Sequence, residues 1–549
     1  MPATAARTRP ARPGARRPLH PLAGTGTMVR LVVRRNRVRL AAWWAYVVVM
    51  LAYVAAYYRE SLPTQRALDD FAAVSATPGM RALTGVAAEP ATLGGAVWTK
   101  IWMTLALGLA FGMVFLVTRN GRADEEEGRC ELLRSRVLGI HAGSAATWTV
   151  MAALCALAGA GAALVCLQQG LDPQGAGHSG SWLFGLSVSG VGLVAIGVSA
   201  LAGQVASTSR GANGLASAVI GVFYALRMAG DLGNGALTWA SPVGWGQEAR
   251  PWGQERWWPL LLQCGLALIL LGAAAVLEEH RDHGAGLLPD RPGPSGAPAR
   301  WASPPGLALR LERGAILGWT AAVAATAVIL GSVTQPMEDL VADASPEVAA
   351  RLGGEGMDAL VAMLVRIVAL VVLAFALQAT LPLRGDEASG LLEAQLSRGL
   401  SRTRWALGRL AVPVLGAGAL LALAGACMGA AYGAVVGDTG QIRLLSGAAL
   451  AYWPATMTLV GAAVAVFGWF PRAATATTWA LLAAVWVVEM AGMTTGLPGW
   501  VLDATPFHAT PPLPSEPMAW EPLAAMTALA VALAALGVGR LARRDLDAG

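Results

Sequence analysis

Two charged segments are the part of this sequence best suited to recognition or chemistry. Arg122 to Leu138 reads RADEEEGRCELLRSRVL, and Arg384 to Leu400 reads RGDEASGLLEAQLSRGL. The register between them is constant, 384 − 122 = 262, and Arg122, Asp124, Glu125, Gly128, Glu131, Ser135, Arg136 and Leu138 recur as Arg384, Asp386, Glu387, Gly390, Glu393, Ser397, Arg398 and Leu400. Acidic residues favour the positive end of a helix dipole and bases its negative end. Asp124 to Arg136 and Asp386 to Arg398 are therefore expected to form helices, each a charge-patterned handle for another protein. The simpler reading is a solvated loop whose charges only set topology, but topology requires no particular D-E-x-x-G-x-x-E order.

Little else does chemistry. The chain has no G-x-x-x-x-G-K-[ST] phosphate loop and its only lysine is Lys100, so nucleotide is not bound in that way. Cys130, Cys155, Cys166, Cys264 and Cys427 are scattered, implying neither a disulfide frame nor a zinc site. His280 and His283 are spaced like metal ligands but sit among Arg281 and Asp282, just past an apolar run. No cofactor, metal or catalytic residue is expected on this chain, so if it does work another subunit must supply the energy.

The elements that position these charges cross a membrane. Of 549 residues, 55% are hydrophobic and only 13% charged, against about 25% charged in soluble domains. A span needs roughly 20 apolar residues, and twelve runs qualify, near 39–58, 98–117, 144–167, 182–206, 214–231, 258–277, 316–334, 358–383, 410–434, 446–468, 475–491 and 522–541. Lipid admits only helices and closed barrels, and runs this long and rich in Ala, Leu and Val are helices. The expected fold is an all-α polytopic membrane protein with twelve transmembrane helices.

Charge then sets orientation. Arginines crowd the N-terminus, 119–142, 278–313, 384–409 and the C-terminus; with an even number of spans these segments share one side, which the positive-inside rule makes cytoplasmic. The net charge of +6 is thus a topology signal and does not imply nucleic acid. Residues 1–26 read as a disordered basic cytoplasmic tail with no cleaved signal. Leu31, Arg34, Arg37 and Trp43 recur as Leu307, Arg310, Arg313 and Trp319, a shift of 307 − 31 = 276, and each set suits a helix lying in the headgroup layer. The chain is read as a parallel tandem repeat of two six-helix units, 27–282 and 307–549, joined by a flexible cytoplasmic Pro/Gly-rich linker at 283–306. Between 232 and 257, Trp239, Trp245, Trp252 and Trp257, with Trp258 just beyond, suggest either short helices in the outer leaflet or an aromatic belt.

Inside the spans stand Lys100, Arg227, Asp231, Arg366 and Glu489. Arg227 and Glu489 are equivalent by the repeat, 489 − 227 = 262, yet opposite in charge. An isolated charge at mid-bilayer costs about 2.5–3.5 kcal/mol on the insertion scale, so each needs a partner. The two can pair with each other across the axis between halves, or Arg227 with Asp231 one turn on and Glu489 with Arg366.

The basic helix before the first span, the R-x-D-E-x-x-G-R-x-E-L-L loop, the Arg227, Gly230, Asp231 run and the Ser241, Pro242, Gly244, Trp245, Gln247 segment resemble ABC exporter permeases of the polyketide-antibiotic (tetronasin-type) exporter family. The likeness covers about 27 to 549. It implies a single-chain permease in the bacterial plasma membrane that works with two copies of a separately encoded ATPase subunit. It also implies coupling helices at Asp124 to Arg136 and Asp386 to Arg398, and a substrate route lined by the second, fifth, eighth and eleventh spans. Candidate lining residues are Trp102, Phe111, Phe115, Phe223, Tyr224, Trp486 and Met490, although most aromatics in spans simply pack. The expected function is export of bulky amphipathic molecules such as antibiotics or drugs by alternating access. An ion-gradient-driven secondary multidrug transporter is the alternative, with Glu489 as its main relay carboxylate; a membrane-embedded lipid enzyme lacks paired catalytic carboxylates or histidines.

Overall fold

The structure, a computed structural model, describes residues 20–76, 78–129, 138–172, 179–281, 284, 286–287, 296, 298, 301, 303–343, 357–495 and 499–546. Among these there are helices and no strands. The chain divides into two compact units, Met1–Pro292 and Gly293–Gly549, with the boundary inside the Pro/Gly-rich stretch. Among the described residues, eleven helical segments are long and apolar enough to cross a membrane.

In the first unit, α1 (Thr25–Ser61) is 37 residues long, or about 55 Å at 1.5 Å per residue. Leu31 to Arg37 lie within it. The separate headgroup helix expected there is corrected: with no proline or glycine between Thr27 and Ser61, nothing ends the first turns before the span begins. α2 (Gln65–Ser75) and α3 (Pro78–Thr84) occupy the long connection to α4 (Leu93–Asn120), whose N-cap Thr92 accepts a hydrogen bond from the Gly95 amide. α5 (Arg122–Glu126) follows after Gly121. Then come α6 (Ala142–Gln168), α7 (Ser179–Val205), α8 (Ser209–Leu232), the short α9 (Ala236–Trp239) and α10 (Pro242–Gln247), and α11 (Trp258–His280).

The most buried span is α7, packed against α4, α6 and α11. Small residues permit this, as is usual where lipid offers no hydrophobic drive. A Cβ on Gly185 would collide with the carbonyl of Gly159 on α6, and one on Gly190 with Gln263 of α11. Hydroxyls then tie the helices: Ser189 donates to the Cys155 carbonyl at 2.7 Å, and Trp102 donates to Ser187 at 2.8 Å. The 232–257 stretch does contain two short helices, and stacking accompanies them, with Trp239 and Trp258 centroids 5.0 Å apart.

The second unit runs α12 (Pro304–Asp343), α13 (Met357–Gln378), α14 (Pro382–Ala388), α15 (Leu391–Leu396), α16 (Arg402–Val436), α17 (Gly440–Leu450), α18 (Trp453–Trp469), α19 (Ala474–Thr495), α20 (Gly499–Leu502) and α21 (Trp520–Arg543). The apolar segment Gly440–Trp469 is divided between α17 and α18, with Pro454 in the first turn of α18. The stretch expected as an eleventh span lies on α19, of which Ala474–Met490 forms a shorter apolar helix outside the eleven. Gly425, Gly429 and Gly433 fall on one stripe of α16. Added Cβ atoms there would strike the backbone at Leu445 and Ser446, at Gln441 and Ile442, and at Asp438. This stripe is what lets α17 fold back against α16.

Overpacking a tight contact costs about 1–3 kcal/mol. Gly429→Val should accordingly lower the thermal unfolding midpoint of the detergent-solubilised protein by several degrees. Gly447→Val, which meets nothing within 4 Å, should leave it unchanged, and equal shifts would contradict the close α16–α17 approach.

Candidate functional site

The repeated charged segments fold in matching ways within their own units. In the first, Arg122 is buried and donates to the carbonyls of Ser207 and Gly284, the latter at 2.9 Å, and to Glu125 at 2.8 Å. Glu125 also receives one nitrogen of Arg281 at 2.7 and 2.8 Å. In the second, Arg544 grips Glu387 with two nitrogens at 2.6 and 2.7 Å, and Arg384 stands 3.9 Å from the same carboxylate. Each glutamate is thus bound to the end of the last helix of its unit. Such fork-to-carboxylate contacts are among the strong hydrogen bonds.

The aspartates are held differently. Asp124 pairs with Arg35 of α1 at 2.5 and 2.8 Å, whereas Asp386 pairs with Arg409 of α16. By register, Leu311 stands where the first copy has Arg35 (35 + 276 = 311), and Thr147 where the second has Arg409 (409 − 262 = 147). The base has changed element, but the carboxylate keeps one.

The continuous helix expected across each segment is not what forms. Gly128 and Gly390 have positive φ of 70° and 74°, a conformation that glycine adopts freely, so α5 stops at Glu126 and α14 at Ala388, and α15 starts afresh at Leu391. Glu131 and Arg136 lie outside the described residues. Beyond the turn, Glu393 and Arg398 are exposed. Glu126 accepts from the Ser209 amide at 3.0 Å and so caps α8, a tie that Ala388 cannot make in the second copy.

The intramembrane charges find partners inside their own units. Arg227 is fully buried, 3.4 Å from Asp231, and donates to the carbonyls of Ala82 and Leu83 at the end of α3. Asp231 accepts from Thr238 at 3.0 Å and Gln247 at 2.9 Å. Glu489 lies 3.5 Å from Arg366 and accepts from Thr505. Lys100 is exposed on α4.

Of the residues expected to line a route, Trp102 is a correction. It has no exposed surface, stacks on Trp98 at 5.2 Å, and its N–H is taken by Ser187, because α7 presents small side chains to it. Phe115 is exposed, while Phe111, Phe223, Tyr224, Trp486 and Met490 are half-buried. The Tyr224 hydroxyl donates to the Leu83 carbonyl at 3.1 Å.

Sequence reasoning singled out neither Arg35 nor Arg409 as partners of the loops, since neither follows the repeat. Arg281 and Arg544 do recur, each ending its half, and that was the available signal. Also missed was His141, which joins the start of α6 to the end of α11 through Glu278 and Glu279, both at 2.9 Å. Burial pushes its pKa down, but the hydrogen bonds and charges of the two glutamates outweigh this and leave it above the ordinary histidine value.

Helices throughout the described residues, eleven segments among them long and apolar enough to cross a membrane, and charged loops bound to helix ends make this a multi-pass membrane protein. The chain belongs to the family of multidrug efflux system permeases. It is 34% identical over 546 residues, 98% of each chain, to the multidrug efflux system permease protein Rv1217c of Mycobacterium tuberculosis, and residues 301–541 match the family described as multidrug efflux system permease Rv1217c, C-terminal domain. The matches name multidrug efflux and not the tetronasin-type subfamily.

Breaking a buried ion pair costs about 3–5 kcal/mol. Arg544→Gln should therefore sharply lower the unfolding midpoint, and Glu387→Gln in addition should add much less than the two single losses summed; additive losses would show that the two side chains act independently. For His141, a folded pKa above the unfolded value of about 6.5 means that the charged form stabilises the fold. That contribution is complete below pH 6.5 and is lost as pH rises through the raised value. The unfolding midpoint of the wild type should fall over this window by more than that of His141→Gln, and parallel pH profiles would refute the linkage.

Proposed function

We propose that this chain is the transmembrane permease subunit of an ATP-driven ABC exporter for bulky amphipathic compounds such as antibiotics or drugs, in the bacterial plasma membrane. The matched anchoring of Glu125 by Arg281 and of Glu387 by Arg544 carries the reading. A push on a slack loop dissipates, whereas a push on a loop bound to the last helix of its half is passed into the membrane. In the second loop Gly390 then turns the chain so that Glu393 and Arg398, beyond the anchor, face outward.

In this reading the chain is a parallel repeat of two six-span halves with both termini cytoplasmic, the eleventh span being α19. Two copies of a separately encoded ATPase subunit dock at the two loops and hold the ATP and magnesium, and nucleotide-driven closure rocks the halves about a central apolar cavity. Phe111, Phe115, Phe223, Tyr224, Trp486 and Met490 are the proposed lining. The docking sites are unequal, because Ala388, Ser389, Leu391 and Gln395 replace Glu126, Glu127, Arg129 and Leu133. A secondary transporter would instead use Glu489 as an ion relay, but that carboxylate is already neutralised by Arg366.

Co-purification of the tagged chain from membranes tests this. A nucleotide-binding subunit should come down with it, and Glu127→Arg together with Glu393→Arg should abolish both that association and drug-stimulated ATP hydrolysis while leaving the permease folded. If the chain purifies alone and still moves drug in liposomes driven only by an ion gradient, the ABC reading is wrong.

A further inference from the structure

A groove of about 580 Å³ opens in the second unit where the first turn of α16 crosses the start of α12. Its lining combines the bases Arg398, Arg404 and Arg409 with the apolar Leu307, Leu400 and Trp405. We propose that this groove binds the phosphate headgroup of an anionic phospholipid.

The charge is arranged for an anion. Arg409 is engaged by Asp386, but Arg398 and Arg404 are exposed and have no acidic partner among the described residues, and no carboxylate lines the groove. Two helices also begin here side by side. Gly408 and Pro304 are so close that a Cβ on the glycine would strike the proline ring. The positive end of the 35-residue α16 adds to the groove, whereas α12 contributes its dipole only, because Pro304 and Pro305 have no N–H and the Gly306 amide donates to Ser303.

The apolar part of the lining selects the source of that phosphate. Leu307, Leu400 and Trp405 would lie along the glycerol and first acyl carbons of a lipid, whereas a free phosphate ester would leave them uncovered. Trp405 is 1% exposed and its indole N–H has no acceptor. Basic pockets of this kind between membrane helices suit anionic headgroups, and the volume falls in the usual range for ligand sites of about 300–1,000 Å³.

A general preference for basic residues near the membrane does not explain the site. At the 262-residue register the first half has Ala142, Gly143 and Thr147 in place of Arg404, Trp405 and Arg409, so this side-chain set belongs to one half alone. Assignment to the inner leaflet, and a role in bracing the second docking loop through Arg398, rest on the function proposed above; lipid binding does not.

The full-length chain would be titrated with phosphatidylglycerol and with phosphatidylcholine and followed by native mass spectrometry. One phosphatidylglycerol should bind in preference to phosphatidylcholine, and Arg398→Gln with Arg404→Gln should weaken it by about 30-fold, the loss expected for two arginine contacts. Arg398→Lys with Arg404→Lys should retain most of the affinity. Hydrogen exchange of the wild type needs no variant: residues 398–405 should be better protected in nanodiscs containing phosphatidylglycerol than in phosphatidylcholine alone. Equal affinity in wild type and Gln variant, equal binding of the two lipids, or equal protection in both nanodiscs would overturn the proposal. So would glycerol 3-phosphate competing as well as the lipid, which would make the ligand a soluble phosphate ester. None of these readouts involves ATP, so their failure is distinguishable from failure of the exporter reading.

Discussion

A carboxylate near the apolar part of a membrane protein must be paired or it loses its charge, and this constraint shapes the charged end of both units. Glu125 and Glu387 are each bound by an arginine from the end of the last helix of their unit, at 2.6–2.8 Å. Desolvation of the ions is offset only when geometry is good and further hydrogen bonds are made. The fork of Arg544 on Glu387 meets that condition directly. In the first unit, Arg122 adds to Arg281 and also satisfies two backbone carbonyls. Each loop is therefore a structural part of its bundle at the anchored glutamate, and in the second unit Glu393 and Arg398 beyond it are exposed.

The aspartates show how far such a constraint leaves the solution open. Asp124 takes its base from α1 and Asp386 from α16. Each half thus binds its loop to a different helix while keeping the same acid in the same place. A consequence is that Arg409 is drawn toward the loop in the second unit, beside Arg404 and Trp405, and a basic groove forms there.

The intramembrane charges obey the same rule with different members. Arg227 and Glu489 occupy equivalent positions with opposite sign, yet each sits in a neutral cluster, one completed by Asp231, Thr238 and Gln247 and the other by Arg366 and Thr505. The first cluster binds α8 to α3 and α10. The second joins α19 to α13 and to the turn at Thr505. Both place polar connections where packing of small apolar residues alone would be weakly directional.

What the sequence by itself determined was whatever depends on composition and period. Apolar runs of about 20 residues require helices in lipid, and the constant register of 262 marked the two loops; that Gly128 and Gly390 break the helix expected through each loop came from the structure alone. Only the tertiary structure decided which base meets which acid. An arginine side chain reaches several ångströms from its backbone, so Arg35 and Arg409, 89 residues before Asp124 and 23 after Asp386, answer the same need without sharing a sequence position. It also decided that Trp102 packs inward, because burial follows from the small residues of α7 opposite it, and that α1 runs unbroken through its basic turns, because length and charge do not end a helix that lacks proline and glycine.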